Sequence, residues 1–184
     1  MLRLVTAPAA EPVSLEEAKE WLYVEHSDDD ALISSLIRSA RQEVERMTRR
    51  KLISQTLAQV LPCFPCGEII LEAAPVDAAS VVVTYLDADG AEQTLNAPRV
   101  FERNGVTRVW PNVNDGWPET LEGADAVTVE FTAGWSDVAA LEADAEPLIR
   151  AVKTIVAQDY DERGRTGNRG IDNLVGAFTI SRFV

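Results

Sequence analysis

The chain has 184 residues, of which 46% are hydrophobic and 26% charged, and its formal net charge is −13. This composition is ordinary for a globular protein and argues against disorder over most of the length. The acidic balance disfavours tight nucleic-acid binding through the body of the protein, because such a surface repels phosphate backbones. No apolar run approaches the ~20 residues that span a bilayer, and the start lacks the order of a signal peptide. We therefore expect a cytoplasmic protein with no membrane partner.

Two helices are predicted near the start of the chain. The first begins at a capping box formed by Ser14 and Glu17 and ends near Leu22. The second has a length of about 22 residues, with Ser27 as its cap and three aspartates placing negative charge at the positive end of its dipole. Its apolar stripe recurs at helical spacing. The stripe consists of Leu32, Ile33, Leu36, Ile37, Ala40, Val44 and Met47.

The apolar pattern changes its period after residue 54. Roughly six or seven strands are expected over residues 55–133, where short alternating segments are separated by turn signals. The strongest turn signal is Asn104-Gly105, because a type I′ hairpin turn requires positive φ at both central positions. The last segment, "AVTVEFTAGW", alternates cleanly and predicts a half-buried strand. Its inward residues are Val127, Val129 and Phe131.

A third helix is predicted to begin at Pro147, which suits a first-turn position. It ends in the glycine-rich connector "DERGRTGNRG". The whole layout predicts an α+β fold, in which a small helical bundle carries an inserted antiparallel β region and an extended C-terminal tail. The predicted domains are a helical core at 1–54 and 145–162, the β region at 55–144, and a hinge with tail at 163–184.

Basic residues are concentrated in two places on this acidic chain. One cluster closes the second helix and contains Arg46, Arg49, Arg50 and Lys51. The other is the tail, where Arg163, Arg165, Arg169 and Arg182 stand against the acid Asp172. The tail is therefore locally basic, and Leu174 to Val184 has the apolar composition of a strand.

Cys63 and Cys66, in "PCFPCG", most strongly suggest chemistry, since a C-x-x-C pair can be a redox centre or half a zinc site. A redox pair opens a helix, whereas a strand is predicted here. A zinc site needs two further ligands, and His26 is the only histidine. We favour two small residues that shape a turn, and keep a small redox or metal protein as the weaker alternative. We predict no catalytic residue, metal or cofactor, and hence no enzyme.

The remaining motifs point to structure. There is no P-loop, G-x-S-x-G or H-E-x-x-H sequence, and helix capping explains the run Asp28–Asp30 without a metal. Among the tryptophans, we expect Trp21 and Trp135 to pack in a core or at its rim. Trp117 lies in a polar "GWPE" loop and is the best candidate for an exposed contact.

The opening, "PVSLEEAKEWLYVEHSDDDALISSLIRSARQEVERMTRRKL", resembles the start of phage head–tail connector proteins of the gp6-like adaptor group. Members begin with a proline and an "LEEAK" helix, followed by a "DD" pair and an "A-R-x-x-V-E" run. The matching residues here are Pro12, Ser14 to Lys19, Leu22, Asp29, Asp30, Ala40, Arg41, Val44 and Glu45. "VTVEFTAGW", Trp117-Pro118 and "AVKTIVAQDYDERG" also resemble longer members, including those of prophages and gene transfer agents. The "CFPC" turn and the large β insertion depart from the compact, mainly helical type.

The resemblance implies a structural adaptor that forms a ring under the portal, extends the DNA channel and provides the attachment site for the tail. The implied partners are the portal protein, a downstream stopper or tail-terminator protein, and further copies of the chain in a dodecamer. DNA passes through such a channel without specific binding. The implied location is the head–tail junction of a virion or gene transfer agent particle, after assembly in the host cytoplasm. A tail-terminator or stopper-type ring protein of the same particle is the alternative.

Two groups of residues are predicted to make these contacts. In related connectors the C-terminal segment reaches the portal, so we expect the tail to dock on the portal or a neighbouring subunit by an added strand or an apolar anchor. The docking residues are Leu174, Val175, Phe178, Ile180, Arg182 and Phe183. The alternative is that this segment packs back on the chain's own β region. Because a closed ring needs two complementary faces on each subunit, the interface candidates are Arg46, Arg49, Arg50, Lys51 and Trp117.

Overall fold

A computed structural model describes residues 1–112, 116–121, 123, 125–162 and 171–180. The chain divides into two compact units. Among the described residues, the β unit comprises Met1–Pro8 and Gln55–Gly134, and the helical unit comprises Ala9–Ser54 and those from Trp135 to Ile180. Helices and antiparallel sheets together confirm the predicted α+β class. None of the described helices is both long and apolar enough to cross a bilayer.

The described elements are as follows. The helices are α1 (Leu15–Leu22), α2 (Asp30–Thr48), α3 (Val138–Glu162) and α4 (Asp172–Val175), and a 3₁₀ turn at Gly176–Phe178 follows α4. The strands are β1 (Leu2–Thr6), β2 (Gln55–Leu61), β3 (Ile69–Ile70), β4 (Val82–Leu86), β5 (Glu92–Thr94), β6 (Arg99–Arg103), β7 (Val106–Trp110) and β8 (Val127–Ala133). A further 3₁₀ turn lies at Ala78–Ser80.

The predicted capping box begins α1. The amide of Glu17 donates to Ser14 Oγ at 3.1 Å, and the amide of Ser14 donates to Glu17 Oε2 at 2.9 Å. These two bonds satisfy donors that have no partner inside the helix. The helix ends at Leu22, as predicted, because Tyr23 adopts a left-handed conformation with φ of 56°.

The start of α2 differs from the prediction. The helix begins at Asp30 rather than at a Ser27 cap, and Ser27 instead accepts the Asp30 amide through its backbone carbonyl at 3.2 Å, in a turn before the helix. The prediction of Ser27 as the cap is therefore wrong. The helix ends at Thr48 because Arg49 is left-handed, with φ of 59°. The apolar stripe forms the buried face at Ile33, Ile37, Ala40 and Val44, whereas Leu32 is exposed.

Helix α3 starts earlier than predicted. The Asp137 carboxylate accepts the Ala140 amide at 2.8 Å, which caps a helical segment that begins at Val138. The helix is interrupted at Ala145, where φ is −145° and ψ is 42°, and Pro147 lies in the first turn after the break, as predicted. The sequence predicts residues 135–144 as part of the β region, but they belong to the helical unit.

The helical unit has one apolar core to which all its long elements contribute. Its largest fully buried side chains include Val13 before α1, Ile33 in α2, and Leu141, Leu148 and Ile155 in α3. Burial of such side chains is the main stabilising contribution in a bundle of this size.

The β unit contains a five-stranded sheet in the order β1-β2-β8-β4-β5 and a three-stranded sheet in the order β3-β7-β6, with every described pair antiparallel. The first strand was not predicted. It pairs with β2 from Leu2↔Gln59 to Thr6↔Thr56, so the start of the chain lies in the β unit and not in the predicted helical core. The central strand β8 buries its predicted inward residues completely: Val127, Val129 and Phe131.

Most predicted strands are confirmed. The seven described strands β2–β8 all lie within the expected range of residues 55–133, and β3 is limited to Ile69–Ile70. The turn between β6 and β7 has φ of 56° at Asn104 and 73° at Gly105, as a type I′ hairpin requires. The hairpin has one buried and one exposed face, since Val109 is fully buried while Trp110 is exposed.

Candidate docking and assembly surfaces

The described part of the C-terminal segment is helical rather than a strand. Asp172–Val175 forms α4 and Gly176–Phe178 forms a 3₁₀ turn. The side chains of Ile171 and Val175 are each 3% exposed within the helical core, and Leu174 and Phe178 pack against that core. The expectation of strand-like structure is therefore wrong for these residues. The sequence does contain a helical signal here. Its apolar residues recur at i, i+3, i+4 and i+7, as Ile171, Leu174, Val175 and Phe178.

Two hydrogen bonds hold this segment to the end of α2. The amide of Ile180 donates to the carbonyl of Thr48 at 3.1 Å, and Arg50 Nε donates to the carbonyl of Phe178 at 2.8 Å. The first bond satisfies one of the carbonyls that a helix C-terminus leaves without a partner. The segment up to Ile180 thus contacts the chain's own helical core.

The predicted docking residues divide into three classes. Val175 is buried, and Leu174, Phe178 and Ile180 are half-buried. Arg182 and Phe183 lie outside the described residues, as do the hinge arginines Arg163, Arg165 and Arg169. While the segment stays packed, Val175 is therefore inaccessible to an outside partner, whereas Leu174, Phe178 and Ile180 keep part of their surface exposed.

The four residues of the basic cluster at the end of α2 differ in their contacts and in their exposure. Lys51 Nζ lies 2.9 Å from Glu45 Oε2, and Arg50 is bound to the Phe178 carbonyl. Arg49 is half-buried at the left-handed helix end, and Arg46 is exposed. Arg46 is thus the predicted interface residue of this cluster that most fully faces solvent.

Glu45 is the centre of a buried ion network. Its side chain is 3% exposed and contacts Arg41 Nη1 at 3.2 Å in addition to Lys51, while its Oε1 accepts the Leu52 amide at 3.2 Å. Arg41 Nε also pairs with Glu11 Oε2 at 2.7 Å. Burial alone would lower the pKa of Arg41, but its bonds and charge interactions with Glu11 and Glu45 outweigh burial and raise that pKa. The "A-R-x-x-V-E" run is therefore a structural ion pair with i,i+4 spacing.

Trp117 is half-buried in the β unit rather than exposed as predicted. Its ring stacks on Phe64 with centroids 4.6 Å apart and planes at 8°, and its Nε1 donates to the Gly67 carbonyl at 2.7 Å. Phe64 in turn packs against Tyr85 at 5.5 Å. These contacts fix the turn that carries the two cysteines, because Phe64 and Gly67 both belong to it.

Cys63 and Cys66 are free and exposed. The strand β3 follows them, so they do not open a helix. Within the described part of the chain, no group of three or more His, Cys, Asp and Glu side chains is arranged to hold a metal ion. The turn therefore presents two exposed thiols, and its contacts include those of Phe64 with Trp117 and Tyr85 and that of Gly67 with Trp117.

Lowered carboxylate pKa values occur at caps and turns. The Ser14 amide holds the pKa of Glu17 below its ordinary value, with a smaller contribution from Lys153. The pKa of Asp87 is lowered by the Gln93 side chain and then by the Ala91 amide. The pKa of Asp137 is lowered by the Ala140 amide. In each case the charged form stabilises a local backbone conformation, which gives the carboxylate a structural role.

The other tryptophans differ in exposure. Trp135 is 9% exposed in the helical core, as predicted, and its Nε1 donates to Asp144 Oδ2 at 2.9 Å. Trp21 is 46% exposed, so it does not lie inside a core, which was one of the two positions expected for it. Trp110 is 38% exposed and donates from Nε1 to Glu68 Oε2 at 3.0 Å. Exposed aromatic side chains are therefore present in both units.

Comparison with known proteins gives two kinds of match. The family described as "Phage gp6-like head-tail connector protein" matches residues 12–89. A chain in the neck of an empty gene transfer agent particle, computed with C6 symmetry, is 24% identical with a TM-score of 0.82, and the match covers 100% of this chain and 97% of that one.

Two further structures match with the same coverage. A chain in the virion of a native gene transfer agent particle is 24% identical with a TM-score of 0.81, covering 100% of this chain and 97% of that chain. A chain in the neck of a native particle computed with C12 symmetry is 25% identical with a TM-score of 0.79, again covering 100% and 97%. No curated protein matches at a significant level. The fold, including its large β unit, is thus shared over the whole chain.

Proposed function

Because residues 12–89 match the phage gp6-like head-tail connector family, we propose that the chain is a structural adaptor of the head–tail junction. In this role it forms a ring under the portal of a tailed phage or a gene-transfer-agent-like particle. The ring extends the DNA channel and provides the attachment site for the tail.

The observation that carries this proposal is the full-length similarity to chains of gene transfer agent particles, two of them from necks computed with C6 and C12 symmetry. A protein that repeats around a six- or twelve-fold axis contacts its neighbours through heterologous interfaces that close on themselves. The proposed partners are accordingly the portal, a downstream stopper or tail-terminator protein, and other copies of the chain in a dodecamer. Assembly in the host cytoplasm follows from this role.

The physical chemistry of the chain is compatible with a channel. With a net charge of −13, the body of the protein repels phosphates, so DNA passes without being held. An adaptor acts through surfaces and needs no catalytic group, and the perturbed carboxylates described above are occupied in caps and turns. Exposed Cys63 and Cys66 play no part in this function.

Docking on the portal is assigned to the last residues of the tail. The segment Ile171–Ile180 serves as a packed base, because Ile171 and Val175 are part of the helical core and the Ile180 amide is bonded to Thr48. Arg182 and Phe183 follow that base directly in sequence and supply the charged and apolar contacts.

Native mass spectrometry of the chain with its portal protein tests the proposal. The full chain is expected to join the portal in a fixed ring-like stoichiometry. A chain ending after Ile180 retains the packed base and is expected to lose portal binding, whereas removal of everything after Gly170 also removes core residues and is not diagnostic. Undiminished binding by the chain ending after Ile180 would contradict docking by the tail.

The same experiment separates the other functions. A full chain that ignores the portal but joins tail-side proteins would fit the tail-terminator or stopper alternative and reject the adaptor. The double substitution Cys63→Ser/Cys66→Ser is expected to leave portal joining unchanged. Loss of joining in that variant would require a role for the thiols.

A further inference from the structure

The outer face of the three-stranded sheet combines exposed apolar and basic side chains. In its register Ile70, Arg108 and Phe101 form one row, and Arg99 and Trp110 form the next. The alternate residues of these strands point into the β core. We define the basic sheet face by residues Ile70, Arg99, Phe101, Arg103, Arg108 and Trp110.

This face has the residue composition of a protein–protein contact surface. Ile70, Phe101 and Trp110 are 45%, 37% and 38% exposed. Arg108, in the central strand, is buried and paired with Glu68, which also accepts the Trp110 indole N–H. Arg99 and Arg103 are exposed at the edge strand. A partly covered apolar centre with charged residues at its rim is the usual arrangement of a protein–protein interface.

The sign of the charge on this face is unusual for the chain. Residues 98–110 contain three arginines and one glutamate, although the whole chain has a net charge of −13. A partner for this face should therefore be apolar in part and acidic. Two basic sheet faces would repel each other, which disfavours a symmetric pairing of this face with itself.

An apolar and acidic surface is found at the corner where α1 leads into α2. Trp21, Tyr23 and Leu32 are 46%, 94% and 48% exposed there. Lys19 is the only lysine or arginine between residues 9 and 37, a stretch that contains eight acids, and it is paired with Asp30 at 2.7 Å. The acidic corner is defined by residues Glu16, Glu20, Trp21, Tyr23, Glu25, Asp28 and Leu32.

We propose that the basic sheet face of one copy packs on the acidic corner of the next copy, and that this contact closes the ring. The inference rests on the proposed function, because it names the surfaces by which the adaptor meets itself. The two surfaces lie on different units of one chain and differ in charge sign. A heterologous interface requires two such complementary surfaces on every subunit.

A second copy fits the basic sheet face better than DNA does. Arg108 is neutralised by Glu68, so two exposed arginines remain, while the rest of the chain is strongly acidic and repels phosphate. The apolar side chains Ile70, Phe101 and Trp110 are also matched by the apolar side chains of the acidic corner. Aromatic and arginine side chains are the residue types most often dominant in such interfaces.

A charge-exchange experiment tests the pairing. Arg99→Glu/Arg103→Glu, and separately Glu20→Arg/Glu25→Arg, are each expected to reduce ring formation with the portal at least tenfold in native mass spectrometry. A chain carrying all four substitutions is expected to recover ring formation, since opposite charges again face each other. Arg38→Glu is the matched control, an exposed arginine of α2 outside both surfaces that should leave the ring intact, and Arg46→Glu tests the basic helix end separately.

The outcomes separate the surfaces from the function. If the wild-type chain joins the portal as a ring and the Arg99/Arg103 variant does so equally well, the inference is overturned while the adaptor function stands. Loss of the ring on Arg46→Glu with no effect of Arg99→Glu/Arg103→Glu would assign the interface to the basic helix end instead. The inference would also be overturned if the wild-type chain bound duplex DNA and the Arg99/Arg103 variant lost that binding while its ring formation was unchanged.

A crosslinking experiment decides the contact even if no portal complex forms. In a Cys63→Ser/Cys66→Ser background, one chain carries Arg103→Cys and a second chain carries Glu25→Cys. Mild oxidation of the concentrated mixture, with and without portal, is expected to give a disulfide-linked pair containing one of each chain, and little product from either chain alone. A mixture with no more crosslinked product than the separate chains, under both conditions, overturns the inference.

Discussion

Glu45 is a buried carboxylate in the helical unit, and its role is structural. It is bonded to Arg41, Lys51 and the Leu52 amide, so one side chain links α2 to the segment that leads into the β unit. A buried ion pair contributes little net stability compared with an apolar pair, but removing one partner leaves an uncompensated charge. The residue is therefore more sensitive to substitution than its position in a polar run of sequence indicates.

Glu45→Ala is expected to destabilise the helical unit by about 3 kcal/mol, because Arg41 and Lys51 lose a buried partner. The measurement is hydrogen exchange by mass spectrometry, in which amides of α2 should exchange faster. Arg46→Ala, at the next position and exposed, is the control and should change exchange little. Equal effects of the two substitutions would show that the network does not stabilise the helix.

Glu17 gives a pH dependence whose sign follows from its capping bond. Its pKa in the folded state lies below the ordinary value of 4.5, chiefly because its carboxylate accepts the Ser14 amide. The stabilisation is therefore present at neutral pH and is lost as the pH falls below 4.5 through the folded-state pKa. In urea unfolding, Glu17→Gln should be less stable than wild type at pH 7, and the difference should shrink at pH 3. A difference that does not change with pH would contradict this assignment.

At the scale of elements, the turn carrying the cysteines depends on one aromatic contact. Trp117→Phe retains stacking on Phe64 but loses the bond to the Gly67 carbonyl, and should cost about 1 kcal/mol. Trp117→Ala also loses the stacked ring and should cost about 2 kcal/mol or more. Hydrogen exchange at β3 measures both, with Trp21→Phe, an exposed tryptophan of the helical unit, as the control. Effects of the two Trp117 variants no larger than the control would exclude the turn-fixing role.

Elements with a local signal could be predicted from the sequence. The capping box of α1, the Asn104-Gly105 turn and the alternation of β8 each depend on residues within a few positions of one another. β1 could not be predicted because "LRLVT" is short, and its partner β2 is distant in sequence. The early part of α3 was missed because Pro147 was taken as the helix start, whereas Asp137 begins the helix and Ala145 interrupts it.

The surfaces were harder to predict than the elements, for a physical reason. Exposure of Trp21 and burial of Trp117 depend on which residues pack beside them, and Gly67 and Phe64 are far from Trp117 in sequence. The helical turn at Asp172–Val175 was read as a strand because its composition is apolar. An apolar composition indicates that a segment tends to be buried, but tertiary packing determines which residues it packs against and in which secondary structure.

For the whole molecule, the two units give a clear expectation for removal of the first strand. Deleting residues 1–8 turns β2 into a sheet edge with unpaired backbone groups, and Leu2 no longer covers the β core. The variant is expected to show faster hydrogen exchange throughout β2 and a greater tendency to aggregate. Exchange in α2 and α3 is expected to stay as in wild type, and a collapse of protection there would contradict the division into two units.

The order of elements along the chain also constrains how it folds during synthesis. The polypeptide passes from the β unit to the helical unit, back to the β unit and again to the helical unit, with changes after residues 8, 54 and 134. On the ribosome, β1 emerges long before β2 and β8, and the partners of α2 in α3 emerge only after the whole β unit. The apolar faces of the first 54 residues therefore stay exposed to solvent until most of the chain, including their packing partners, has been synthesised. Such exposed apolar surface favours aggregation of the nascent chain, and non-local closure of both units makes folding slow relative to a simple helical bundle.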